Sequence, residues 1–196
     1  MATESKCVEC GGHCVEERVA PVAHQIGKRS VRIDRDHHLY CPDCGNISYR
    51  GSMLSDNQLM IAEQIRRQDG LLTPLELKAI RSKYGLSQSD IEKILTIGSK
   101  TWVRWERGKV VQGSAADQMI RLIAKRPDVL RELMQNASVK NAKTMGILDA
   151  HDREIEERVA EVLRANLHSG KVHHADDFER AAKAVAEEAR KAALAG

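Results

Sequence analysis

The sequence predicts a mainly α chain: a small cysteine-bearing unit of short β-strands, then a compact bundle of five short helices, then a helical extension. Three observations predict it. Every one of the five cysteines lies within residues 1–52. From residue 55 to about 135, apolar residues recur at spacings of three and four between capping signatures. Hydrophobic content is 42% with only 3% aromatic, so several small aliphatic cores are expected in the 196 residues rather than one large interior.

The first unit is built on two C-x-x-C-G knuckles, Cys7-Val8-Glu9-Cys10-Gly11 and Cys41-Pro42-Asp43-Cys44-Gly45. Each C-x-x-C turn aims two thiolates at one point, and the glycine that follows relieves crowding where backbone amides turn toward sulfur. Two such knuckles predict a tetrahedral site for one structural zinc ion per chain, with Cys7, Cys10, Cys41 and Cys44 as ligands. Iron in the same thiolate set is the alternative metal. Residues 13–20, 30–33, 39–40 and 46–50 read as short strands around the knuckles. So small a unit is expected to need its metal to fold, at a contribution on the order of 10 kcal/mol. Cys14 is left over and is read as a free thiol, with ligand exchange or redox sensing as the sharper alternative. His13, His24, His37 and His38 are read as loop histidines, since four thiolates already complete the set. A catalytic zinc keeps an open position, so no enzyme chemistry is expected here.

Ser55-Asp56-Asn57-Gln58 is the next capping signature, and Leu59, Ile61, Ala62 and Ile65 follow at helical spacing. A linker helix over 55–69 ending at Gly70 is expected. Thr73 to Glu76 opens the next helix with a capping box and a proline at its first position. Ser87 and Asp90 form a second capping box, and Ile91, Ile94 and Leu95 mark one helical face. After Thr96-Ile97-Gly98-Ser99 a third short helix is expected to run to about Arg107 and stop at Gly108. Two helices about a tight turn, the second bearing Lys and Arg beside hydroxyls, suggest a helix-turn-helix. Ser114 is read as the cap of a fourth helix and Pro127 as the start of a fifth.

Residues 136–146 are polar and read as a linker. Beyond them, Ile155, Val159, Val162, Leu163 and Leu167 mark a helix over about 149–167, which Ser169-Gly170 ends. Phe178, Ala182, Val185, Ala189 and Ala192 mark a second one over about 175–194. These two fit a docked helical hairpin, a tail that folds on binding, or a solvated extension.

The formal charge is +3. Residues 73–111 carry eight Lys and Arg against four Asp and Glu, an excess of four, while the flanking parts are near neutral. The positive excess thus lies over the helix-turn-helix. The first residues lack an apolar signal region and no run reaches the length of a membrane span, so a cytoplasmic protein is expected.

These motifs together resemble the MqsA/YgiT-type zinc-finger antitoxins of bacteria, with an Xre-like helix-turn-helix. The resemblance covers roughly residues 5–135. It is carried by the four knuckle cysteines, the Leu39-Tyr40-Cys41-Pro42-Asp43-Cys44-Gly45 run, Leu86-Ser87-Gln88, and Arg104-Trp105-Glu106-Arg107-Gly108. It implies four segments: a zinc ribbon over 1–52 that binds the toxin, a linker helix over 53–70, a DNA-binding and dimerisation domain over 71–137, and an extension over 138–196. It implies an antitoxin that neutralises a cognate toxin and represses its own operon as a homodimer on double-stranded operator DNA. The implied DNA contacts are Gln88, Ser99, Lys100, Thr101, Arg104 and Arg107, with Lys100 and Arg104 one turn apart on the third helix facing base edges. Lys100 stands where the family has Asn, and Thr96 where it usually has Gly. The residues themselves read Trp102 and Trp105 as core or dimer contacts, and Arg107 and Lys109 as phosphate contacts or a solvated face. Two other functions fit the same sequence: a metal- or partner-sensing regulator without a toxin, and an interaction module that works through the C-terminal helices.

Overall fold

The computed structural model describes residues 6–12, 15–168, 179–180 and 182–187. The chain is mostly helical, with a three-stranded antiparallel sheet near its start in the order β1-β2-β3. Contacts within it group into two compact units. The first holds residues 1–75 and 104–112; the second holds 76–103 and 113–196.

In the first unit, β1 (Glu16–Ile26) and β2 (Arg29–Tyr40) form one long hairpin, not the separate short strands expected. Their polar, outward residues hid the continuity. A two-residue turn joins them, and Gly27 takes the positive φ of 60° that such a turn requires at its first position. The register shifts between Ala20 and Val22, where Pro21 has no N–H to pair. The shift changes the phase of β2: Val31 and Ile33 are buried before it, Asp36 and His38 after it. One residue of slip thereby keeps a single face inward. The third strand, β3 (Ile47–Ser48), pairs with the end of β2 and is shorter than expected. His24, His37 and His38 lie on these strands rather than in loops. His13 and Cys14 fall outside the described residues.

Helix α1 (Ser52–Asp69) packs on β2 and buries Met53, Asn57, Ala62 and Arg66. It starts three residues before the expected position. Gly51, with φ of 54°, makes the entry through its backbone and no side chain caps it. Ser55 is already helical and its hydroxyl donates to the Ser52 carbonyl at 2.8 Å. The expected linker helix therefore belongs to the contacts of the sheet. Asn57 accepts from the His37 amide at 3.0 Å and donates to the His37 carbonyl at 2.9 Å, riveting α1 to β2.

The second unit holds α2 (Pro74–Lys83) almost entirely, α3 (Gln88–Ile94), the start of α4 (Thr101–Glu106), α5 (Ser114–Lys125), α6 (Pro127–Asn136) and α7 (Ala142–His168). Leu77, Tyr84, Ile91, Trp102, Ile120, Ile123, Leu130, Met134 and Leu148 are among its fully buried side chains. The Tyr84 hydroxyl lies 3.2 Å from the carbonyls of both Ile123 and Ala124, where it serves orphan acceptors at the end of α5. The cap of α5 is Gly113, without a side-chain bond, and Ser114 is its first residue. Pro127 occupies the first turn of α6 as expected.

The extension departs most from expectation. Residues 136–146 are no linker: α6 ends at Asn136 and α7 begins at Ala142. Thr144 and Leu148 are buried, and α7 packs on α6. Arg131 of α6 bonds Asp149 and Asp152 of α7 at 2.9 Å each. Residues 179–180 and 182–187 are helical; the Ser169-Gly170 break and Phe178, Ala189 and Ala192 fall outside the described residues.

Candidate metal centre and nucleic-acid interface

The two knuckles are built alike. The Cys7 amide donates to the Gly12 carbonyl at 2.8 Å and the Gly11 amide to the Cys7 carbonyl at 3.0 Å. In the second knuckle, the Cys41 amide donates to Asn46 at 3.0 Å and the Gly45 amide to Cys41 at 2.8 Å. Gly11 and Gly45 take φ of 75° and 74°, so the same turn recurs at both places. The four sulfurs all lie within 4.8 Å of one another. Cys7 and Cys44 are 3.7 Å apart, and Cys10 and Cys41 are 3.6 Å apart. A tetrahedron with metal–sulfur arms of about 2.3 Å has edges of roughly 3.8 Å, so the set fits a thiolate-bound metal ion. Cys7 and Cys41 are buried while Cys10 and Cys44 are exposed, which places the centre at the surface of the unit. A Cβ at Gly12 would meet the Asp43 carboxylate, which would have to swing aside, and would come 3.3 Å from the Cys10 sulfur.

The four thiols perturb one another strongly. The amide of Cys10, with that of Glu9, points at the Cys7 sulfur and lowers its pKa to about 6. The Asn46 amide does the same for Cys44, but the neighbouring sulfurs of Cys10, Cys41 and Cys7, with some desolvation, outweigh it and push Cys44 up to about 12. Four thiolates this close repel one another, and a divalent cation at their centre removes that repulsion.

Within the sheet lies a buried polar node. The Asp36 carboxylate is fully buried and bonds His24 Nε2 at 2.6 Å and His38 Nδ1 at 2.9 Å. Burial, the charge of Asp36 and a hydrogen bond to it push the Tyr49 hydroxyl up to about 12. This node pins both long strands and the exit of β3. It supplies the fixed polar geometry that a small apolar interior does not.

The α3–α4 pair carries the sequence-derived DNA contacts. At the start of α3 both halves of the capping box are present: Ser87 Oγ accepts from the Asp90 amide and Asp90 Oδ2 from the Ser87 amide, each at 3.0 Å. At its end, the Ile97 amide donates to Glu92 and the Thr96 amide to Lys93, a Schellman closure with Thr96 at φ of 53°. Thr96 thus takes up the left-handed conformation itself where a glycine is usual. Gln88 is the first residue of α3. Ser99 and Lys100 are exposed in the turn before α4, and Thr101 opens that helix. Lys100 is not on the helix as expected. The Thr101 amide donates to the Gly98 carbonyl at 3.1 Å, and Lys100 takes φ of 64° inside the turn so closed. Arg104 is exposed in the last turn of α4, and Arg107 is exposed just after it. Trp102 and Trp105 are buried, at 0% and 5% exposure, so neither is free to stack on a base. The α4 helix ends by the same closure as α3, with Gly108 at φ of 74°.

Sequence reasoning missed the buried polar residues that hold these parts. Glu92 in α3 accepts from the Trp102 amide at 2.9 Å and caps the first turn of α4. Asn57 and Arg66 occupy inward positions of α1. The available signal was their spacing: Asn57 follows Met53 by four and Arg66 follows Ala62 by four, and a polar residue one turn from a buried apolar one has a partner to meet.

Among the described residues no helix is long and apolar enough to cross a membrane. A four-cysteine cluster able to hold a metal ion lies in the unit with the small sheet, and a bundle of short helices follows it. Residues 5–134 match the family described as the antitoxin component of bacterial toxin-antitoxin system, MqsA, and the chain belongs to that family. Among curated proteins no match is found.

Proposed function

We propose that this chain is the antitoxin of a toxin–antitoxin pair, neutralising a cognate toxin and repressing its own operon as a dimer. The observation that carries the reading is that one family match, over 5–134, spans both the four-cysteine centre and the α3–α4 pair. The metal is zinc: an all-thiolate tetrahedral set in a small β unit is the usual structural zinc site, and it leaves no open position for catalysis. The residues of 1–52 bind the toxin. Helices α3 and α4 form a helix-turn-helix in the DNA-binding and dimerisation segment 71–137, with α4 reading the major groove.

In this reading Arg104 is the base-reading residue, able to grip guanine O6 and N7 through two donors. Ser99, Lys100 and Thr101 lie at the mouth of α4, and Gln88 heads α3; these and Arg107 hold phosphates. Lys100 sits in the turn rather than on the helix, which favours a phosphate contact over a base contact. Two copies related by a two-fold axis place their α4 helices about 34 Å apart, one turn of DNA. Most affinity then comes from phosphates and falls with salt. The test is Arg104→Ala measured against the chain's own promoter: specific binding is lost while metal content and melting temperature are kept. Unchanged promoter affinity would sink the operator assignment.

A further inference from the structure

The exit of α4 is held by a charged side chain from another element. The carbonyls of Gly108 and Val110 both accept from one terminal nitrogen of Arg66, at 3.2 and 2.7 Å. Arg66 lies in the last turn of α1 and is 4% exposed. Gly108 itself faces α1 and the start of α2: a Cβ there would lie 3.6 Å from Pro74 and 3.8 Å from Leu59. A second buried side chain repeats the tie, since Gln112 Nε2 donates to the Leu72 carbonyl at 2.6 Å. The Lys109 amide donates to the Arg104 carbonyl at 3.1 Å, which links the tied segment back to the turn that carries Arg104. A buried charge is a poor stabilising device, because desolvation offsets what its contacts return. A planar guanidinium across two carbonyls does fix geometry.

We propose that Arg66 is a positioning residue for operator recognition: it sets the exit of α4, and with it the aim of Arg104, from the helix riveted to the sheet. The proposal rests on the reading of α4 as the operator-reading helix.

Both tryptophans of the chain lie in α4, so 5-fluorotryptophan labelling gives two fluorine resonances that report on this helix. The full chain is compared with Arg66→Met, Arg66→Lys and Arg104→Ala, on promoter and scrambled DNA at one salt concentration. Arg66→Met should move or broaden the Trp105 resonance and lose about tenfold in promoter affinity, with scrambled-DNA binding kept. Arg66→Lys, which keeps the charge and a donor, should recover part of both. If either the resonance or the promoter affinity of Arg66→Met stays at the wild-type value, the positioning role is overturned. Where Arg66→Met does not fold, Arg66→Gln is read by the same two criteria. Arg104→Ala separates the two claims. Full promoter affinity in that variant refutes the reading of α4, whereas loss there with no change in Arg66→Met refutes the positioning role alone.

Discussion

The side-chain amide of Asn141 donates to the Asp90 carboxylate at 2.9 Å, on the same oxygen that accepts the Ser87 amide. A residue just before α7 thus braces the capping box of α3. Asn141 Oδ1 also accepts from the Thr144 amide at 3.1 Å, so one side chain caps α7 and braces α3 at once. Asn141→Ala should cost about 1–2 kcal/mol in urea unfolding, and a double-mutant cycle with Asp90→Ala should show coupling between the two.

The same carboxylate gives a pH dependence. Burial alone would raise the Asp90 pKa, but the Ser87 amide, the Asn141 amide and the Ser87 hydroxyl hold it below the usual range. A carboxyl depressed in the folded state contributes its stability above the unfolded value of about 3.9 and loses it as pH falls through the lower folded value. The stability gap between wild type and Asp90→Asn should therefore be full at neutral pH and shrink in thermal melts as pH falls below the unfolded value of about 3.9.

Thr96 holds a left-handed conformation that strains a β-branched residue. Its side chain is exposed, so little packing is lost on removing it. Thr96→Gly should stabilise the chain by about 1 kcal/mol, read as a raised urea midpoint at unchanged m-value.

The first helix of the extension, α7, packs into the helical unit. Leu148 is 1% exposed, and Leu148→Ala should cost about 2–5 kcal/mol by calorimetry. Deleting residues 138–196 should lower the melting temperature further, which an independent tail would not do.

What was legible in the sequence was local. The knuckles declare themselves by the spacing of Cys7, Cys10, Cys41 and Cys44, and α3 by Ser87 and Asp90. The start of α1 was not legible because Gly51 makes it through the backbone alone, while Ser55 offers a capping signature inside the helix. The long hairpin was obscured by Pro21 and by polar residues that face outward on both strands. Lys100 was placed on α4 because a left-handed φ at a lysine leaves no mark in composition. The start of α7 was hidden by polar residues whose partners, Asp90 for Asn141 among them, lie some 50 positions away. Arg66 carries no mark in the sequence for the same reason: only the fold brings two carbonyls to it.

The metal centre predicts a dependence of its own. One zinc ion should be found per chain, and Cys41→Ser should lose it. Chelation should abolish the near-ultraviolet signal of Tyr40 and Tyr49 while most far-ultraviolet helical signal persists, because α3, α5, α6 and α7 bury their own side chains in the second unit.

The central claim is antitoxin function, and growth tests it most directly. The gene beside this one is expressed from an inducible promoter, alone and together with the full chain. Arrested growth alone, with growth restored by the wild-type chain but not by Cys41→Ser, is the result expected. A neighbouring product that is harmless alone, or toxicity that the wild-type chain leaves untouched, would contradict it.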